Sequence, residues 1–158
     1  MASEKTRVAP IPAVGYNNDE PRERSSMFSM FPLLAISLVI YAIGTFSGSG
    51  SEWVTAELFT LNMPSGGEWL VTFGDAFIIV SMVLLFIELL RATSTGTDSI
   101  VNHFLSALLL IANVLLFVMV AGFGTSVFFI FMSMTFLDFM AGFIITTKTA
   151  RRDFGVAA

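Results

Sequence analysis

Long stretches of this chain carry almost no charge, and that constrains its fold more than any other feature. Four apolar stretches, residues 27–46, 75–92, 99–121 and 126–148, make up more than half of its 158 residues. About 20 apolar residues in a helix cover a hydrocarbon core of about 30 Å. Only 13% of the residues are charged, against about 25% in an ordinary soluble domain. Phe alone occurs 17 times. A small soluble fold has too much surface in water to hide such content, whereas a bilayer acts as a solvent for it. The expected fold class is an all-α membrane protein, a four-helix transmembrane bundle.

The segments around the helices carry local signals. Residues 1–26 hold Pro10, Pro12, Pro21, Gly15 and Asn17-Asn18 without periodicity, so a disordered cytoplasmic tail is expected. Pro32 falls in the first turn of the first helix, where a missing N–H costs little. A signal peptide is the rival explanation for that helix. The long polar segment before it and the weak cleavage region Ser47-Gly48-Ser49-Gly50 favour an uncleaved span. Leu58–Met63 and Glu68–Phe73 partly alternate in polarity, and Pro64-Ser65-Gly66-Gly67 between them is a strong turn signal. An extracytoplasmic β-hairpin over 57–73 is expected between helices one and two, with Phe59, Leu61 and Met63 facing Trp69, Val71 and Phe73. Trp53 and Trp69, the two tryptophans, suit an aromatic belt at the membrane–water boundary. Asp75 can cap helix two and complement its positive end. Thr97, Asp98 or Ser99 can cap helix three. Gly122-Phe123-Gly124 makes a tight turn, and Thr125 or Ser126 caps helix four. Residues 149–158 form a cytoplasmic tail with Arg151 and Arg152.

The distribution of Lys and Arg sets an orientation. Lys5, Arg7, Arg22 and Arg24 precede helix one, Arg91 lies at the second connection, and Lys148, Arg151 and Arg152 follow or close helix four. The first and third connections have none; the first carries Glu52, Glu57 and Glu68. Basic and non-basic sides therefore alternate, which requires an even number of spans. The positive-inside rule then puts both ends in the cytoplasm and the hairpin outside.

Several function classes are excluded. The chain has no cysteine and one histidine, which removes thiol chemistry, disulfides and any multi-histidine metal site. A net charge of -4 argues against nucleic acid as a partner. The phosphate-binding, nucleophile-elbow and zinc-protease motifs are missing. No catalytic residue, metal site or cofactor is expected.

Polar residues inside the apolar stretches are the informative ones. Asp138 lies about 15 Å from Lys148 at about 1.5 Å per residue, near mid-membrane. A charged carboxylate there costs at least about 2.5 kcal/mol, so Asp138 should face the bundle interior, where desolvation favours its neutral form. Tyr41 and Ser37 on helix one, Ser81 on helix two, and Asn113 or Ser106 on helix three lie at similar depth. Asp138 serves either a proton or cation relay or an interhelical hydrogen bond. Glu88, Arg91, His103 and Lys148 gather near the cytoplasmic ends. They form either a pH-sensitive or ligand-binding mouth or a set of interfacial residues that cap helices and snorkel. Glu88 and Arg91, three apart, can form a local ion pair. Gly142 lets a neighbouring helix approach closely.

Short pieces recur in a known pattern: Pro64-Ser65-Gly66, Gly74-Asp75, Leu84–Thr93 with Glu88 and Arg91, Ser99-Ile100, His103, Thr125-Ser126, Leu137-Asp138, Ala141-Gly142-Phe143 and Arg151-Arg152-Asp153. With them, the stretch from Pro64 to Asp153 resembles a family of small, uncharacterised four-helix inner-membrane proteins of proteobacteria. An Asp often precedes the His in that family, where this chain has Asn102. The resemblance implies the topology and a bacterial inner (plasma) membrane location, and no activity. The expected function is a non-enzymatic accessory or scaffold component of a larger membrane complex or a homo-oligomer. The alternative is a small oligomeric channel or proton-coupled transporter built around Asp138.

Overall fold

The first helix shows how local chemistry trims an apolar run. The computed structural model describes residues 31–92 and 97–155, without the side chains of 97–100, 146 and 148–155. The expected tail, the start of the first apolar run, the turn at 93–96, the candidate caps of helix three and the Lys148 side chain lie outside that description. Helix α1 spans Leu34–Gly44, shorter than the 27–46 expected. Pro32 is the cause. Its ring disfavours helical backbone at the residue before it, and Phe31 is indeed a bend. The first helical hydrogen bonds run from Ala35 N–H to the Pro32 carbonyl at 3.1 Å and from Ile36 N–H to the Leu33 carbonyl at 3.0 Å. Beyond Gly44 the chain widens into a π-type turn, Thr45–Ser49, which breaks where Gly48 takes φ +104°. A short 3-10 turn, Glu52–Thr55, follows.

Strands β1 (Glu57–Asn62) and β2 (Glu68–Thr72) form the antiparallel hairpin. Phe59 pairs with Val71 and Leu61 with Trp69, the expected facing. The turn places Gly66 at φ +84°, a conformation that suits glycine. Phe73 departs from expectation. It does not pair in the sheet but opens helix α2, Phe73–Ala92, and its N–H donates to the Ala56 carbonyl at 3.0 Å. The ladder slips at Leu58, where the register is irregular between Glu57 and Phe59.

Asp75 acts at the start of α2 as the third helical residue rather than as the cap itself. Its Oδ2 accepts from the Thr72 N–H at 2.9 Å and the Thr72 hydroxyl at 2.8 Å, while its own N–H donates to Thr72 Oγ1 at 3.2 Å. Thr72 and Asp75 thus make a reciprocal capping box. Helix α3 spans Thr97–Met119 and α4 spans Ser126–Gly155. Thr125 caps α4 by accepting the Phe128 N–H at 3.1 Å. Helix α4 passes Lys148 into the expected tail because no helix breaker occurs before Gly155.

The described residues form a mostly helical structure of four helices and one two-stranded hairpin. Three segments are long and apolar enough to cross a membrane: Phe73–Ala92, Val101–Met119 and Ser126–Ile145. The segment Leu34–Ser49 is apolar but shorter. At the hairpin end the core is aromatic. Tyr41 lies 5.1 Å from Trp53, 5.3 Å from Phe77 and 4.7 Å from Phe128 between ring centroids. Trp53 is therefore partly packed in the bundle, against Gly44, with its Nε1–H donating to Thr45 Oγ1 at 3.3 Å. Trp69 is exposed on the hairpin.

Candidate functional site

Each helix buries one stripe, and each stripe carries buried polar residues, while Ser133 and Thr147 of α4 are exposed. On α1 the stripe is Leu34, Ser37 and Tyr41, continued by Thr45 in the turn that follows; on α2 it is Gly74, Phe77, Ser81, Leu85, Glu88 and Ala92. Asn102, Ser106, Leu109 and Asn113 form it on α3, and Phe128, Phe131, Thr135, Asp138 and Gly142 on α4. The spacing of three and four residues keeps each set on one face. The outward faces are apolar, with Val80, Phe86, Ile111, Val118, Phe136 and Phe143 all exposed.

The stripes meet in pairs along the bundle. Nearest the hairpin, the Tyr41 hydroxyl and Thr125 Oγ1 are 2.6 Å apart. Ser81 donates to Ser37 at 3.0 Å, joining α2 to α1. Asn113 Nδ2 donates to Thr135 Oγ1 at 3.2 Å, joining α3 to α4. Ser106 donates to Asp138 Oδ2 at 2.6 Å. Of the candidate partners for Asp138, the structure selects Ser106; Tyr41, Ser37, Ser81 and Asn113 each bond elsewhere. Thr135 was not singled out from sequence, nor was Thr125 as the partner of Tyr41. Their places in the helical stripes are the signal that marks them.

At the end away from the hairpin the pairs become a charged cluster. Glu88 is 1% exposed and Asp138 4%. Glu88 is thus a core residue, not an interfacial one. Its Oε2 accepts the Leu34 N–H at 3.2 Å, so a carboxylate from α2 caps α1, whose own Leu33 offers no side-chain cap. The positive end of a helix attracts such a group. The Asn102 side chain hydrogen-bonds Glu88, Asp138 exerts a like-charge effect on it across the α2–α4 contact, and Arg91 a weaker attraction. His103 is an electrostatic partner of Asp138 and packs on Gly142, where a Cβ would overlap its ring. The expected close approach at Gly142 is therefore made by the His103 side chain.

Two polar atoms in this cluster, Glu88 Oε1 and Asn102 Oδ1, are buried without a hydrogen-bond partner among the described residues, as is Asn113 Oδ1 further along. Among the described residues no group of three His, Cys, Asp or Glu side chains is arranged to hold a metal ion. The arrangement can hold carboxyl groups in a dry interior, cap a helix and carry hydrogen bonds between helices. No family model, curated protein or solved structure matches the chain.

Proposed function

We propose that this chain is a multi-pass protein of the bacterial inner membrane that crosses the bilayer four times. Both of its ends face the cytoplasm, the hairpin lies outside, and it serves as a non-enzymatic component of a larger membrane complex or of a homo-oligomer. The observation that carries the membrane assignment is the inverted polarity of the bundle. Polar side chains pair inside while large apolar side chains cover the outside, an arrangement that costs free energy in water and suits lipid. In the apolar segment Leu34–Ser49, helix α1 alone covers about 16 Å at about 1.5 Å per residue, and its outward residues Ile36, Val39, Ile40 and Ile43 are exposed.

Association is supported by the hairpin. All six residues of β1 are exposed, and Phe59, Leu61 and Trp69 leave apolar surface uncovered. An exposed strand edge can also accept a partner strand. Phe59, Leu61 and Trp69 all replaced by Ser should leave helical content unchanged and abolish co-purification of partners, or of further copies, from mild detergent. Unchanged association in that variant would remove the support for this function.

A second function is favoured by one observation: Asp138 is buried beside a second acid, Glu88. A proton- or cation-conducting oligomer built on them predicts that Asp138→Asn abolishes flux in liposomes while insertion stays normal. Normal flux in that variant contradicts it.

A further inference from the structure

We propose that Glu88 binds a proton on Oε1, making with Asn102 and Asp138 a buried proton site that also holds the start of α1. This goes beyond the association function and needs no partner protein. The two carboxyl groups come from α2 and α4, both almost fully buried, and like charges that interact in a dry interior disfavour double ionisation. Glu88 divides its two oxygens between different tasks. Oε2 accepts the Leu34 N–H, which a neutral carboxyl still allows through its carbonyl oxygen. Oε1 is a buried acceptor without a donor, and such an atom costs about 1–3 kcal/mol. A proton taken from water forms an O–H bond at Oε1, neutralises the carboxylate and turns that acceptor into a donor. Asn102 Oδ1, on the adjoining side chain, is itself a buried acceptor without a partner, and rotation of its amide presents it to that O–H.

Among the described residues, two charged groups act on Glu88. Asp138 faces it from α4, and Arg91 lies one turn further along α2. His103 on α3 acts electrostatically on Asp138. From α1 the contact is the Leu34 amide, and the residues that follow, Ala35, Ile36 and Ser37, do not titrate. Deprotonation would put a buried negative charge beside Asp138, on the side chain that caps α1, so proton release is coupled to the seating of that helix.

The test is infrared difference spectroscopy of the full chain in lipid bilayers between about pH 5 and about pH 9, above the range near about 4 where exposed carboxyls titrate. The expected result is a protonated-carboxyl C=O band that disappears at the alkaline end. Glu88→Gln, which keeps both an acceptor and a donor, should lose the band completely, while Asp138→Asn should keep it. Absence of any such band overturns the proposal, as does a band that survives Glu88→Gln or one lost in Asp138→Asn. Should Glu88→Gln fail to fold, Asn102→Ala decides the matter, because it retains both acids. The band should then move to higher frequency as the O–H loses its acceptor, and an unmoved band overturns the proposal.

Discussion

Asn113 and Thr135 show what a single polar pair does in an apolar bundle. Both are fully buried, and their one interhelical bond joins α3 to α4. In membranes such bonds average about 0.6 kcal/mol, because the separated helices find other partners. A double-mutant cycle with Asn113→Ala and Thr135→Val should therefore give a coupling of about 0.6 kcal/mol in unfolding from bicelles. A coupling of zero would mean that the pair does not hold the helices together. Residue identities alone marked Asn113 and Asp138 as inward-facing, since each is costly toward lipid. They did not reveal partners, because helical spacing fixes a face and not which residue stands opposite. Glu88 shows the limit most clearly. Measured along its own helix, it lies about one turn from the end, where an interfacial residue is expected. It is buried because α1 begins only at Leu34 and sets its first amide against the carboxylate.

At the scale of elements, the ends matter more than the middles. Helices α2, α3 and α4 are legible from their uninterrupted apolar runs, and the hairpin from Pro64–Gly67. Boundaries shifted where a backbone group needed a partner. Phe73 left the strand because Thr72 and Asp75 close a capping box directly after the last ladder pair. Gly74 belongs to the same junction: a Cβ there would lie 2.6 Å from the Val54 carbonyl oxygen. Asp75→Ala should cost about 1 kcal/mol, as faster amide hydrogen exchange at Thr72 and in the first turn of α2. Unchanged exchange would show that the box does not hold the hairpin to the helix. Pro32 acts at the opposite end of the bundle. It lies within an apolar run that composition alone extends to Met27, yet its effect on Phe31 limits helix α1 to the residues after it.

For the whole molecule, the polar layers change along the bundle. Aromatic rings and hydroxyl pairs fill the hairpin end, and carboxyl, amide and imidazole groups fill the other. Arg91 lies at that second end, and the positive-inside rule applied to the basic residues of the sequence would put that end in the cytoplasm, as proposed. The central claim is that orientation, and the chain is well suited to test it because it contains no cysteine. Single cysteines at Ser65, in the hairpin turn, and at Ala158, at the chain's end, can be labelled in intact cells with a reagent that crosses the outer membrane but not the inner. A four-span protein with a cytoplasmic end predicts that Ser65→Cys is labelled and Ala158→Cys is protected until the inner membrane is opened. Protection of Ser65→Cys, or labelling of both positions in intact cells, would contradict it.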